Sequence, residues 1–318
     1  MKRRRGGPTA PAVSWRDGVH VVGTSIWCDA RRRRGVCFVS AADRLGRGSH
    51  GQLIATAPTL ALLGASKHAH LSVPVHRPFT LGTVRLTLLP SGHGPGGAAL
   101  HVDTGSHRVL YAGAVDPRRA ELIACDTLVV AAPYGAPHHQ FPADAEAQGV
   151  AFCQAAAAAG QVALVLVTST VRGLAVAERL AAAGLSVAGH RSVVDGAARL
   201  AEAALPAPLV RRSVARADVL VWPLAEHARA GAALGARPTR RLLASGLATE
   251  PAALAGLELD LAVAWSGAAD RAALVRFVAG SGATDVAVTG PWAAAIAAAV
   301  GPRARTLGAP EQMALFAS

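Results

Sequence analysis

The chain has almost no lysine. Lys2 and Lys67 are the only two in 318 residues, and arginine supplies the rest of the 32 basic side chains. It also lacks any uninterrupted run of about 20 apolar residues, the length a membrane helix needs. Hydrophobic residues make up 52% of the chain, but Gly, Pro or a charge breaks each apolar stretch. The Ala-rich segment 292–300 is too short to span a bilayer and suits a packed helix better than lipid. No membrane partner is expected. The basic start, Met1 to Pro8, has no apolar core of the kind a signal peptide carries. Cys28, Cys37, Cys125 and Cys153 form no C-x-x-C pair, so neither a disulfide framework nor a zinc knuckle is indicated. These absences together lead to the expectation of a soluble, cytoplasmic protein.

What the chain does have is positive charge, +12 from 32 basic against 20 acidic residues. A phosphate-bearing partner accounts for such an excess, because each neutralised phosphate releases counterions and adds affinity. The planar fork of arginine suits phosphate well. Drift of the composition toward Ala, Gly and Arg gives the same excess with no function attached, so DNA or RNA is a candidate partner rather than a deduced one.

Short apolar runs alternate with Ala/Leu-rich stretches of helical spacing, which is an α/β pattern, and the length suggests about two domains. Up to about residue 144 the chain is rich in strands joined by tight turns, among them Val84–Leu89, Ala98–Val102, Arg108–Ala112 and Thr127–Ala131. From residue 145 to 223 strands and helices alternate as in a parallel sheet: helix 145–159, buried strand Val162–Val167, helix 171–183. A polar connection at Arg237–Arg241 follows, then strand, helix, strand and helix to residue 300. The pattern predicts a strand-rich host, residues 1–144 and 224–318, interrupted by an α/β insert at 145–223.

One segment is more telling than the rest. Residues 86–115 read as strand, Gly-rich turn carrying His93, strand, turn, and a third strand ending at Tyr111-Ala-Gly113. A histidine on a turn between core strands is well placed for a metal. Pro90-Ser-Gly-His93, Tyr111-Ala-Gly-Ala114 and Asp126-Thr-Leu-Val-Val-Ala-Ala-Pro-Tyr-Gly135 occur in an order and spacing that resembles the β-CASP nuclease branch of the metallo-β-lactamase superfamily. The tail, Leu307-Gly-Ala-Pro-Glu-Gln-Met-Ala-Leu-Phe316, is similar to the C-terminus of its ligase-associated DNA exonucleases. The resemblance spans about 300 residues. It implies an αββα sandwich with an inserted α/β domain, and a site for two divalent ions, usually zinc.

The chain departs from that pattern at nearly every ligand. Aligned on Ser49-His-Gly-Gln-Leu-Ile, the first metal motif falls on Ser40, Ala42, Arg44 and Leu45. The bridging aspartate position is Ala114. The later Ser-Asp-His-Ala-Asp motif appears as Ser266-Gly-Ala-Ala-Asp270, with Ala268 at the histidine, and Gly290 replaces the last histidine. Only His93 remains. Zinc wants about three or four protein ligands, and two-metal hydrolysis needs both ions. The resemblance therefore implies a catalytically inactive relative of a DNA exonuclease, a nucleic-acid-binding or regulatory subunit in DNA repair or processing, with no cofactor.

Two alternatives stand beside it. One is an active nuclease or phosphoesterase holding zinc at a relocated site of His93, His138, His139 and Asp116. The other is a structural partner of an active β-CASP homologue or of a repair protein. Arg31, Arg32, Arg33 and Arg34, in a turn ahead of the first metal motif, are candidates for the rim of the cleft. With Arg44, Arg240 and Arg241 they form the candidate nucleic-acid contacts; a solvated turn is the plainer account of the run. His68-Ala-His70 has alternate-residue spacing but no nearby carboxylate. Trp27, Trp222, Trp265 and Trp292 are expected to pack rather than to stack on bases.

Overall fold

The computed structural model describes residues 11–45, 49–65 and 69–309. Lys2 to Arg5, His68 and the tail motif from Pro310 to Phe316 lie outside them. The chain is a mixed α/β protein, with three sheets among the described residues. Strands β1 (Val13–Trp15), β2 (Val19–Val21), β3 (Ile26–Cys28), β4 (Val36–Phe38), β5 (Gln52–Ala55) and β6 (His70–Ser72) lie side by side in chain order. The first two pairings are antiparallel and the last three parallel. Helix α1 (Ala57–Leu63) falls between β5 and β6; the Thr56 side chain caps its start and Gly64, in the left-handed region at φ 63°, ends it.

The second sheet begins with β7 (Phe79–Leu81), β8 (Val84–Pro90), β9 (Ala98–Asp103), β10 (Arg108–Gly113) and β11 (Thr127–Ala131). Alternation along its strands splits their side chains between two cores. Leu86, Leu100, Tyr111 and Val129 pack against Ile26, Phe38 and Ile54 of the first sheet. Their neighbours Leu110, Leu128 and Val130 face the other way.

The third sheet is entirely parallel. It comprises β12 (Val162–Val167), β13 (Val187–Gly189), β14 (Val219–Pro223), β15 (Thr239–Ala244) and β16 (Leu261–Val263), in the order β13-β14-β12-β15-β16. All six residues of β12 are buried, as befits a central strand covered on both faces. Helices α2 (Ala145–Ala158), α3 (Thr170–Ala182) and α4 (Arg191–Glu202) cover one face through Phe152, Leu174, Leu180 and Leu200. Leu234, from the short α5 (Ala230–Leu234), joins the core on the other. After α6 (Pro251–Leu254) and α7 (Arg271–Gly280) the chain returns to the second sheet as β17 (Asp285–Thr289), α8 (Ala293–Val300) and β18 (Ala304–Thr306). Leu274 and Phe277 of α7 and Ile296 of α8 cover that sheet's outer face, while Leu60 of α1 packs on the outer face of the first.

The parallel sheet runs past residue 223, where the sequence pattern ended the insert. The polar connection expected at Arg237–Arg241 runs into strand β15, and the strand expected in the host at Leu261–Trp265 is its edge neighbour β16. The arginines disguise β15. Arg240 extends over the Phe152 ring at 4.4 Å and Arg241 pairs with Glu258 at 2.6 Å, leaving Leu242, Leu243 and Ala244 to form the buried part.

The Gly-rich turn after β8 is wedged between two helix starts. The Gly96 carbonyl accepts hydrogen bonds from the Thr56 and Thr59 hydroxyls at 2.7 and 2.9 Å. Gly94 approaches α3 so closely that a Cβ there would stand 2.5 Å from Val171 Cγ1. Val171 is buried and its branched side chain has few other rotamers. Gly94→Ala is therefore expected to cost about 1–3 kcal/mol by overpacking, read as a lower urea midpoint. An unchanged midpoint would show that the turn and α3 do not meet.

Candidate functional site

Three chain segments leave the carboxyl ends of β4, β8 and β12, one from each sheet, and their side chains converge. His93 Nε2 faces Asp43 Oδ2 at 3.3 Å, and the Ser169 hydroxyl donates to the same oxygen at 2.9 Å. The other imidazole nitrogen, Nδ1, faces the Gly267 carbonyl at 3.1 Å. Gly267 has no room for a side chain, since a Cβ would lie 2.7 Å from the His93 carbonyl oxygen. Burial works against charge on Asp43, but the hydrogen bond and charge of His93, with Arg44 and Ser169 behind them, pull its carboxyl down to about 2. Beside this junction is a cavity of about 390 Å3 lined by Asp43, Arg44, His93, Ser169, Arg172 and Ala268, among others.

The residues present do not fit a metal pair. Ser40 is buried and fully occupied: its hydroxyl donates to Asp29 Oδ2 at 2.5 Å and its amide to Oδ1 at 2.8 Å. The Tyr111 hydroxyl donates to the same carboxylate at 2.8 Å. Asp29 gave no signal in the sequence. Burial pushes its carboxyl up, with the Ser40 and Tyr111 hydrogen bonds opposing. Ala42 packs toward the core under the parallel sheet and Leu45 toward that of α1. Ala114 and Ala268 are buried methyl groups. Gly290 adopts φ 96°, and a Cβ there would come within 3.0 Å of the Ala132 carbonyl, so a histidine at this position would be strained. Both nitrogens of His93 already face oxygen acceptors.

Among the described residues, Arg44 and Arg172 are the guanidiniums at this cavity. Arg172, 9% exposed, donates from Nη2 to the Trp265 carbonyl at 2.7 Å and stands 5.3 Å from that ring. Burial lowers its pKa to about 10. Sequence reading missed Arg172, because a single arginine in an amphipathic helix looks like a solvated one. The expected rim arginines lie elsewhere. Arg31, Arg32, Arg33 and Arg34 precede β4, at the end of the strand away from Ser40, and none of them lines this cavity. Arg34 stacks over Trp27 at 3.8 Å, and Arg32 pairs with Asp17 at 3.1 Å. Arg240 and Arg241 also lie off the cavity, directed to Asp260 and Glu258. Of the four singled-out tryptophans, Trp265 is fully buried and Trp27, Trp222 and Trp292 are partly so.

The relocated metal site is not assembled. Asp116 is held bidentately by Arg118, at 2.9 Å to each oxygen. Among the described residues the one group of three metal-capable side chains is His138, His139 and Glu250, which neither His93 nor Asp116 joins. The Gly135 and Ala136 amides donate to His139 Nδ1 at 2.9 and 2.8 Å, so that nitrogen keeps its lone pair. The proton is then on Nε2, which donates to Glu250 at 2.7 Å. A metal at Nε2 would have to displace that proton, so the group works as a clamp between the loop after β11 and the segment after β15. Asp270, from the Ser-Gly-Ala-Ala-Asp motif, is likewise structural: it caps α7 through the Ala273 amide and holds the Phe141 amide.

No family model and no curated protein matches this chain. Among solved structures it is similar to a protein of unknown function from Enterococcus faecalis V583, with a TM-score of 0.50 and 12% identity over 80% of this chain and 74% of that one. That likeness concerns the fold alone.

Burial holds the His139 pKa below its ordinary value, against the opposing pull of Glu250; His50 and His101 are shifted the same way by burial. The unfolded chain takes up these protons near pH 6.5 and the folded chain only at lower pH, so stability falls as pH drops below about 6.5. His139→Gln is expected to cost about 1–3 kcal/mol at pH 8 through its unpartnered amides. It should also lose less stability than the parent between pH 8 and 5.5 in urea melts. An equal loss in both proteins would contradict the assignment.

Proposed function

We propose that this chain is a non-hydrolytic relative of the metallo-β-lactamase-fold β-CASP nucleases that binds nucleic acid without metal in the cleft between its paired sheets and its parallel sheet. The observation that carries the reading is a convergence. Arg44, His93 and Ala268, at three of the aligned ligand positions, and Pro291, the residue after a fourth, Gly290, are widely separated in the chain, yet all line one cavity. Three of these positions offer no metal-binding atom, and the fourth is already hydrogen-bonded. The layered architecture supports the reading too: two mixed sheets face each other, helices cover their outer faces, and a parallel α/β unit enters between β11 and β17.

The chemistry follows from what lines the cleft. Hydrolysis of a phosphodiester in this family relies on metal to generate hydroxide and to hold the phosphoryl oxygens. Here the second task falls to guanidinium groups, which bind phosphate oxygens and supply no nucleophile. The expected product of this arrangement is binding without cleavage.

Protein purified without chelator is expected to carry far less than one zinc per chain and to leave DNA intact when Mn2+ or Zn2+ is added. Fluorescence anisotropy should show DNA binding that weakens steeply with salt, about 0.9 in log affinity per log salt for each phosphate contacted on duplex DNA. Stoichiometric zinc with robust cleavage would overturn the reading, as would the absence of DNA and RNA binding at low salt.

A further inference from the structure

Arg172 has no counterion of its own. It is more than nine-tenths buried, yet no carboxylate lies within ion-pair distance of it among the described residues. The acids that act on it through space are committed elsewhere, Glu146 to Arg119 and Arg179, Asp116 to Arg118. Its Nη2 reaches the Trp265 carbonyl, and among the described residues no hydrogen bond engages Nε or Nη1. Burying a guanidinium unpaired is costly, and proteins do it where a ligand supplies the missing charge.

A second guanidinium shares the cavity in a similar state. The Arg44 side chain is two-thirds buried, and among the described residues neither its Nε nor its other nitrogens make a hydrogen bond. The nearest acid is Asp43, with Oδ1 3.9 Å from Arg44 Nε, but Asp43 is already engaged by His93 and Ser169. The start of α3, with Ser169 and Arg172, lines the same cavity. Ser169 caps it by accepting from the Arg172 amide, while the first amides of the helix have no acceptor within it. Donors thus approach from two chain segments and a helix end. A tetrahedral oxyanion accepts in several directions, whereas a carboxylate accepts in one plane.

We propose that Arg172 and Arg44 form a phosphate-binding subsite in this cavity, so that an anion takes the place of the ancestral cations. The inference rests on reading the cleft as metal-free. The occupant is a phosphate group, either free inorganic phosphate or one in a polynucleotide backbone, and the same experiment separates the two.

The test is thermal melting and calorimetric titration of the full chain with inorganic phosphate, against chloride at matched ionic strength. Phosphate is expected to raise the melting temperature saturably. Arg172→Met keeps the length and removes the charge. Without phosphate it should melt no lower than the parent, because it removes an unpaired buried cation, and its phosphate affinity should fall by about tenfold or more. Arg44→Met, at a less buried position, serves as the second variant and should lose about threefold or more. Phosphate that does not bind, or that binds both variants as it binds the parent, overturns the proposal.

A single-stranded oligonucleotide distinguishes the sources. Displacement of the oligonucleotide by phosphate supports a backbone phosphate as occupant. Phosphate binding by a protein that ignores oligonucleotides supports the subsite for free phosphate and overturns the nucleic-acid reading. Oligonucleotide binding that is indifferent to phosphate and to both substitutions leaves the nucleic-acid reading standing and overturns the subsite.

Discussion

Asp43 leaves β4 of the first sheet, His93 leaves β8 of the second, and Ser169 leaves β12 of the third; the last two both bond one oxygen of the first. A single carboxylate therefore ties together three sheets whose strands are far apart in the chain. The tie holds because its surroundings leave little freedom. Gly94 and Gly96 let the His93 turn fit against α3 and the start of α1, and Gly267 lets the His93 carbonyl pass where a side chain would collide. The hydrogen bond and charge of His93 keep Asp43 ionised. The cavity beside the junction, and the arginines that line it, owe their positions to this arrangement.

Charge in the cleft follows the same logic. Each acid near the cavity already has donors: Asp43 has His93 and Ser169, Asp116 has Arg118, Glu146 has Arg119 and Arg179. Deeper in, the Asp29 carboxylate is surrounded by Ser40 and Tyr111. Engaged in this way, these acids leave no carboxylate within ion-pair distance of Arg172 among the described residues. Two guanidiniums are left lining the cavity, which is the electrostatic opposite of a two-zinc site.

Much of the fold was legible because strand alternation and buried apolar runs are local signals. β8 to β12 and α2, α3, α7 and α8 read directly from them. β15 did not, because its two arginines face Phe152, Asp260 and Glu258 at one end of the sheet and make a buried strand look like a loop. The same weakness affected the site. His93 stood out because its turn has a recognisable pattern, and Ser40, Ala114, Ala268 and Gly290 were singled out only through the resemblance that pattern suggests. Arg172 and Asp29 were invisible, since what singles them out is burial and the engagement of their neighbours. The arginine run at 31–34 drew attention by density alone, and Arg34 is spent on Trp27 at the far end of β4.

The central proposal is that Arg172 and Arg44 hold a phosphate-type anion in a cleft that takes no metal. Crystals soaked with zinc and arsenate, measured at the absorption edges of both elements, test it directly. The expected result is an arsenic peak within hydrogen-bonding distance of the Arg172 and Arg44 guanidiniums and no zinc peak at His93. A zinc peak on His93, with no arsenic in the cavity, would contradict it.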